Sequence, residues 1–368
     1  MEETVAIVRC RTYDDGEVTE AVRRACILGG LSPSGLPPRI LLKPNMLSSR
    51  MPAEGTTTHP SVLTAAGRFC AMAQIAIGDS PANAGKPIED YWNTCGYEAA
   101  ARSLDARLLS FDRADIRTIF LGGRALPVPV AAVLNEWAVC NLPKLKTHNL
   151  TLMTAAVKNL YGLIPGYQKS ILHTKCISIE EFSEFLVEFH RHVAPHVFFH
   201  IVDAVDIMEG NGPSGGSIRR AGYIIGGRDA IAVDMVCAEL LGITPGEIPF
   251  LALHEKRYGL PHVIKTGDPI EPISGFLRPS FFKPGAIGKH RFLIPLARFL
   301  TRFFRIAPRI NKKICKQCGA CAKVCGMHAI NNKFDIDTNA CIRCFCCLEV
   351  CPAKAVMIEK SRLARMLT

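Results

Sequence analysis

The sequence predicts an α/β domain over residues 1–277, a linker at 278–313 and a small α+β domain at 314–368. Three observations predict this division. Strand-like and helix-like segments alternate through the first part, as in a mostly parallel or mixed sheet flanked by helices. Positive charge is concentrated in the stretch that follows. Nine of the 16 cysteines lie between Cys315 and Cys351.

Short apolar runs predict the strands of the α/β domain. They are Val5–Val8, Ile40–Leu42, Ile75–Ile77, Val139–Leu142, Val197–Val202 and Tyr223–Ile225. Longer stretches with helical spacing lie between them, the clearest being Ser61–Ala73, Ile179–His190 and Ala230–Leu241. A chain of 368 residues with this pattern is long enough to bury a sizeable core.

The composition is that of a globular protein, with 48% hydrophobic and 21% charged residues. No apolar run reaches the roughly 18 residues that a membrane-spanning helix needs. The N-terminus also lacks the basic and apolar segments of a secretory signal. We therefore expect a cytoplasmic protein without a transmembrane segment.

The net charge of +11 comes from one segment. Residues 278–334 carry 13 Lys or Arg and no Asp or Glu, whereas residues 1–277 carry 26 basic and 29 acidic residues. A local basic segment beside a near-neutral domain does not indicate nucleic-acid binding.

Residues 290–306, within the basic segment, predict an amphipathic helix with Phe and Leu on one face and arginines on another. Three interpretations stay open. The helix packs on the α/β domain as a linker, or it docks an acidic redox partner protein. In the third interpretation it makes a peripheral contact with an anionic membrane.

Residues 314–358 contain a two-fold repeat with a period of 26 residues, and each copy reads C-x2-C-x2-C-x3-C. Three thiolates at this spacing can hold one 4Fe-4S cluster, and the fourth cysteine ligates the other cluster of the pair. Zinc modules, the alternative, place two C-x2-C pairs well apart. The first predicted cluster takes Cys315, Cys318, Cys321 and Cys351, and the second takes Cys325, Cys341, Cys344 and Cys347.

On these motifs residues 314–358 resemble a bacterial-type ferredoxin domain with two 4Fe-4S clusters. The resemblance implies one-electron transfer through a short relay. Gly326 departs from that family, which usually has proline after the fourth cysteine, as at Pro352. Cys346 lies outside both ligand sets. We expect it to be a small packing residue, the alternative being a redox thiol or a substitute ligand.

Polar residues follow several predicted strands of the α/β domain. In open α/β sheets ligands bind beyond the carboxyl ends of the strands, so these residues predict one shared crevice. The loop after the strand at 139–142 contributes three of them, and residues 57–60 and 158 add two more. The candidate catalytic residues are Lys43, His59, Asp79, Lys144, Lys146, His148, Lys158 and Asp203.

Two kinds of ligand are compatible with that crevice. The lysines suit an anionic substrate such as a carboxylate or a phosphate. Carboxylates at Asp79, Asp203, Glu209 and Asp234 suit a divalent cation instead. The stretch Gly210–Gly215 matches G-x-G-x-x-G, but a strand follows it where a dinucleotide site needs a helix. We therefore expect a hairpin or active-site loop there.

In their order along the chain, these motifs resemble the domain-of-unknown-function family numbered 362, whose members often carry a C-terminal ferredoxin domain. The motifs are Lys43-Pro44-Asn45, Thr57–Pro60, Gly78–Ser80, Pro143–His148, Lys158-Asn159 and Glu209–Gly216. We expect an oxidoreductase that exchanges electrons with a redox partner protein or a small-molecule acceptor. The alternatives are a dedicated electron carrier with a partner-recognition domain and an iron–sulfur or metal scaffold protein.

Overall fold

The computed structural model describes residues 2–81, 87–111, 113–176, 178–280 and 306–360. The amphipathic helix predicted at 290–306 lies outside these residues except for its last position. Within the described ranges, no helix is long and apolar enough to cross a membrane. Below, the α/β domain is residues 2–280 and the cysteine module is residues 306–360.

The α/β domain contains a ten-stranded mixed sheet and a separate hairpin. The strands of the sheet are β1 (Glu2–Arg9), β2 (Arg39–Pro44), β3 (Gln74–Gly78), β4 (Arg107–Leu109), β7 (Ala138–Leu142), β8 (Lys144–His148), β9 (Leu152–Thr154), β10 (Val197–Glu209), β11 (Ser217–Gly227) and β12 (His262–Gly267). The hairpin consists of β5 (Ala114–Leu121) and β6 (Arg124–Ala131).

The spatial order of the strands is β12-β1-β11-β10-β7-β2-β3-β4, and β8 pairs with β10 and β9. The run from β10 to β4 is parallel, whereas β11 is antiparallel to both β10 and β1. The predicted mixed sheet is confirmed. From β2 the next strand along the chain, β3, lies on one side of the β2–β7 pair, whereas from β7 the chain continues to β10 on the other side. The order of the strands therefore reverses between β2 and β7. At such a reversal, ligands bind beyond the carboxyl ends of the two strands.

Helices cover both faces of the sheet. They are α1 (Asp15–Leu28), α2 (Pro60–Phe69), α3 (Ile88–Thr94), α4 (Tyr97–Ser103), α5 (Ala156–Asn159), α6 (Gln168–Lys175), α7 (Ile179–Val193), α8 (Ala230–Leu240) and α9 (Pro249–Tyr258). Single 3₁₀ turns lie at Pro33–Gly35, Pro52–Glu54, Ala132–Asn135, Leu160–Leu163, Ala194–His196 and Pro245–Glu247.

The central strands bury side chains on both faces. Ile7 and Leu41 belong to the core that α7 and α8 complete. Val8 and Leu42 belong to the opposite core, which α1 and α2 complete. Strands that are buried on both faces read as continuous apolar runs, which explains why the sequence pattern located them.

The cysteine module repeats its backbone as well as its sequence. It contains α10 (Ala320–Lys323) and α11 (Cys346–Glu349), and β13 (Ile306–Ile310) pairs with β14 (Val356–Lys360). Left-handed backbone conformations recur 26 residues apart, at Gln317 and Arg343, Gly319 and Phe345, and His328 and Lys354. Strand pairing repeats in the same way. Ile310 pairs with Val356, and the residues 26 positions from each, Ile336 and Ile330, form an isolated bridge. The module includes β13, which lies in the stretch that the sequence assigned to the linker.

Candidate functional site

Each of two small cavities in the cysteine module is lined by four of the cysteines that the spacing singles out. Cys315, Cys318, Cys321 and Cys351 line the first cavity. Cys325, Cys341, Cys344 and Cys347 line the second, together with Cys346. Each cavity thus draws one cysteine from the other half of the repeat, which is the crossed grouping that the sequence predicts.

The sulfur atoms in these cavities accept backbone N–H groups. Ala329 donates to Cys325 Sγ at 3.3 Å, and Ala355 donates to Cys351 Sγ at 3.2 Å. Hydrogen bonds of this kind tune a bound iron–sulfur cluster. Across the described ranges, no three His, Cys, Asp or Glu side chains converge closely enough to hold a single metal ion. Each cavity nevertheless has four cysteines in its lining, the number and type of ligand that a 4Fe-4S cluster takes.

Close contacts join the cysteine module to the α/β domain. The buried Arg50 donates from Nη2 to the carbonyl oxygen of Cys351 at 2.9 Å. A Cβ at Gly326 would lie 2.8 Å from Thr174 Cγ2 and 3.0 Å from the carbonyl oxygen of Ser170 in α6. Glycine at 326, the departure from the ferredoxin pattern, therefore allows the module to approach α6.

A polar pocket of about 70 Å³ lies where the two parts meet, and we name it the interdomain pocket. Its wall on the module side includes Cys346 and Glu349 of α11. Cys346 also lines the second cysteine cavity, as does Ser170 of α6, so these two residues border both spaces. The titratable side chains that the α/β domain contributes are Asp79, Lys146, His148, Lys158, Lys169, Tyr161 and His173.

Three asparagines beside this pocket form a chain of hydrogen bonds. Asn45 follows β2 and donates to Asn159 Oδ1 at 2.9 Å, and Asn159 donates to Asn141 Oδ1 at 2.8 Å. Asn141 in β7 donates in turn to the carbonyl oxygen of Ala156 at 3.0 Å. The chain of amides therefore fixes the carboxyl ends of β2 and β7 against α5, at the reversal of strand order.

Asp79 lines the pocket, but its charge is already balanced. Its Oδ1 lies 3.0 Å from the Nζ atom of Lys43, and both side chains are buried. Its carboxylate also accepts the N–H groups of Met46 at 2.7 Å and Ser80 at 2.8 Å. Burial lowers the pKa of Lys43, and the charge of Asp79 opposes that effect. The two side chains form a buried ion pair in which Asp79 lines the pocket and Lys43 does not.

Among the described residues, the hydrogen-bond acceptors of Lys146 and Lys169 are neutral oxygen atoms. Lys146 donates from Nζ to Asn45 Oδ1 at 2.8 Å and to the carbonyl oxygen of Thr56 at 2.7 Å. Lys169 donates to the carbonyl oxygen of Ser80. Burial lowers the pKa of each lysine to about 7. Each can therefore gain or lose a proton near neutral pH.

His148 lies against Glu349 of the module. Its Nδ1 accepts the N–H groups of Leu150 at 3.1 Å and Thr151 at 3.3 Å, which leaves the ring proton on Nε2. Nε2 is 3.3 Å from Glu349 Oε1 but outside hydrogen-bond geometry. Burial lowers the pKa of His148 to about 4. Burial alone would raise the pKa of Glu349, but His148 and Lys158 lower it to about 2, so the carboxylate is charged.

Lys158 follows β9 in the short helix α5. Its Nζ lies 5.6 Å from the ring centroid of Tyr161 and 5.9 Å from that of Phe182. In the part of the chain that the structure describes, no carboxylate is within ion-pair distance of this amine. Burial lowers the pKa of Lys158, and the charge of Glu349 opposes that effect.

His59, Lys144 and Asp203 belong to a second polar group, which we name the Tyr13 network. Lys144 Nζ lies 2.9 Å from Asp203 Oδ2 and donates to the Tyr13 hydroxyl at 2.6 Å. That hydroxyl donates to Asp203 Oδ1 at 2.8 Å, and the ring of Tyr13 stacks on His59 at 3.7 Å. Burial lowers the pKa of His59 to about 4.

The predicted single crevice therefore needs correction, because its residues form two groups. Asp79, Lys146, His148 and Lys158 line the interdomain pocket with Lys43 behind them, whereas His59, Lys144 and Asp203 do not line it. The reason is that residues 144–148 form the strand β8 rather than the predicted loop. The first and fifth residues of an extended strand are roughly 13 Å apart. Lys144 and His148, at the two ends of β8, therefore cannot both line one small pocket.

The carboxylates that suggested a divalent cation each have a separate partner. Glu209 pairs with Arg219 at 3.3 Å, and Asp234 accepts the N–H groups of Ala156 and Val157 at the start of α5. Burial raises the pKa of Asp234 to about 7. These carboxylates do not gather into one site with Asp79 and Asp203. The glycine-rich stretch 210–215 is the turn between β10 and β11, as the hairpin prediction requires.

Sequence reasoning missed Lys169, Thr154 and Glu349 as pocket residues. Lys169 lies in α6 and Glu349 in α11, and no motif links segments that are so far apart in the chain. Thr154 ends β9, a strand of three residues that the apolar pattern did not separate from its surroundings. The docking of the module brings Glu349 to Lys169 and Thr154.

Comparison with known proteins gives a family match and a curated relative. Residues 40–239 match the family described as domain of unknown function (DUF362). A thylakoid-associated protein of Synechocystis sp. is 32% identical over 273 residues, which cover 71% of this chain and 81% of that protein. Neither description states a reaction.

Proposed function

This chain belongs to the DUF362 family, and we propose that it is an iron–sulfur electron-transfer protein, an oxidoreductase that acts on a substrate in the interdomain pocket. One observation carries the proposal. Cys346 borders both the interdomain pocket and the cavity lined by Cys325, Cys341, Cys344 and Cys347. A substrate in the pocket and a cluster in that cavity would be separated by a single residue.

The two cysteine sets would hold two 4Fe-4S clusters, which supply one electron at a time when bound. The chain's own groups then have distinct tasks. Lys146 and Lys169 hold protons at Nζ atoms on the pocket wall and can release them near pH 7. Lys158 provides positive charge, and α11 closes the pocket on the module side.

The positions of the two cysteine sets favour a route for electrons. Cys318 of the first set is the one exposed cysteine among the eight predicted ligands, and the second set lies beside the interdomain pocket through Cys346. A redox partner protein would therefore meet the first set at the surface, and the second set would serve the pocket. A dedicated carrier, the alternative, has no use for a pocket beside its second cluster.

The name of the cyanobacterial relative supports a second candidate property, peripheral association with a membrane. Residues 278–334 carry 13 basic and no acidic residues, a composition that anionic lipid surfaces attract. Binding to vesicles of anionic lipid that is lost at high salt would support this property. Equal recovery of the chain with neutral vesicles would refute it, and the cytoplasm would remain the expected location.

Anaerobic purification with iron and sulfide quantification tests the electron-transfer proposal. We expect about eight iron and eight sulfide per chain. Cys325→Ser should remove the second cluster and leave about four iron, with the spectrum of the first cluster unchanged. Cys346→Ser is the matched control and should retain both clusters. Stoichiometric zinc with little iron would refute the proposal.

A further inference from the structure

One buried polar atom on the wall of the interdomain pocket, Oγ1 of Thr154, has no hydrogen-bond partner among the described residues. Thr154 is only 3% exposed. His148 lines the same pocket, but its Nε2 already has Glu349 Oε1 at 3.3 Å. A buried hydroxyl without a partner is costly, so Thr154 points to a ligand that supplies the missing hydrogen bond.

The lining of the pocket also carries more lysines than unpaired carboxylates. Lys158, and Lys146 and Lys169 in their protonated forms, contribute positive charge, and within the described part of the chain none of them has a carboxylate at ion-pair distance. Glu349 contributes one negative charge, and Lys43 already balances Asp79. Buried charges without partners are costly, and an anionic ligand would offset the surplus.

We propose that the interdomain pocket binds a small carboxylate, with Lys158 as the cation and Thr154 as a hydrogen-bond donor. The volume of about 70 Å³ has room for on the order of five water molecules, which limits the ligand to a few heavy atoms. The assignment of this carboxylate as the substrate rests on the proposed electron-transfer function. Binding itself needs only the pocket.

Acetate is the probe for this site, with inorganic phosphate and chloride as comparisons, and the anaerobically purified full chain is the sample. We expect acetate to raise the melting temperature in a saturable way and to bind more tightly than either comparison ion. Lys158→Met should weaken acetate binding at least tenfold, and Thr154→Val, which keeps the shape, should weaken it severalfold.

Lys265→Met is the matched control. Lys265 is also a lysine, but its Nζ pairs with Glu239 on the surface at 2.7 Å, so acetate affinity should not change. Phosphate or chloride binding as tight as acetate binding would overturn the carboxylate assignment. Unchanged acetate affinity in both Lys158→Met and Thr154→Val would overturn the site.

The inference and the proposed function fail in different ways. A chain that binds acetate but holds no iron would refute the electron-transfer proposal and leave the carboxylate site standing. A chain that holds about eight iron but shows no saturable acetate binding would overturn the carboxylate site and leave the electron-transfer proposal standing.

Discussion

The interdomain pocket and the Tyr13 network contain the same residue types but differ in whether their charges are paired. In the Tyr13 network, Lys144, Asp203 and Tyr13 satisfy one another within 3 Å. In the pocket, Lys158 lacks a carboxylate partner in the described structure, and Thr154 Oγ1 lacks a hydrogen bond there. A buried lysine is therefore a weak sign of function by itself. The stronger sign is a buried polar group that the protein leaves without a partner.

The largest effect should come from breaking a pair in the Tyr13 network. Asp203→Asn leaves Lys144 buried without a counter-charge and should lower the free energy of unfolding by about 3–5 kcal/mol. Urea unfolding measures the change. Asp206→Asn, which loses only a partly exposed ion pair with Arg220, should cost less than about 1 kcal/mol and serves as the control. Equal losses in both variants would show that the network is not a closed buried unit.

The contact that forms the pocket should be the next most sensitive. Gly326→Ala places a methyl group against Ser170 and Thr174 and should lower the free energy of unfolding by about 1–3 kcal/mol. It should also weaken acetate binding while leaving the Tyr13 network intact. Gly246→Ala, at a glycine with open space around its Cβ position, is the control. Wild-type acetate affinity in Gly326→Ala would contradict the role of docking in forming the pocket.

Removing the unpaired cation should have a small effect on stability. Lys158→Met removes a buried charge without leaving another one unpaired, so the free energy of unfolding should stay within about 1 kcal/mol of the wild-type value or rise. The same variant should lose acetate binding at least tenfold. A loss of stability as large as that of Asp203→Asn would show that the pocket is a second structural network.

A separate effect should be a change with pH. Because burial lowers the pKa of Lys146 and Lys169 to about 7, the unfolded chain binds more protons than the folded chain above that pH. Stability from these two groups should therefore rise between pH 7 and roughly 10, whereas acetate binding should weaken as the lysines lose their charge. Urea midpoints and acetate titrations across this range measure both trends.

Substituting both lysines with methionine provides the control for the pH series. The variant should flatten the part of the stability profile that lies above pH 7. It should also remove the weakening of acetate binding over the same range. Parallel trends in stability and acetate affinity, both rising with pH, would contradict the assignment of Lys146 and Lys169 to the pocket.

Much of the fold could be predicted because the central strands bury both faces. Ile40–Leu42 and Ile75–Ile77 read as continuous apolar runs, and the structure places both at the predicted positions. The strand β8 was missed because Lys144, Lys146 and His148 are polar. Their burial depends on specific partners such as Asp203 and Thr56, and a hydrophobicity pattern contains no information about such partners.

The site could be predicted only in part for a related reason. The sequence could place Lys43, Asp79 and Lys146 near the carboxyl ends of strands. The topology of the sheet brings those strand ends together. Glu349 reaches the same place only because the module docks on α6. Whether a lysine belongs to the interdomain pocket or to the Tyr13 network also depends on its distance from a carboxylate. That distance is set by the folded backbone and cannot be derived from residue types.

Gly326 has a consequence for any exchange of domains. A two-cluster ferredoxin domain that carries the family's usual proline at this position would bring ring atoms into the space beside Ser170 and Thr174. Grafted in place of residues 306–360, such a domain could keep all its cysteines and still fail to seat against α6. A functional chimera of this chain therefore needs glycine at the graft's equivalent of position 326, because compatibility is decided at the contact surface rather than at the ligands.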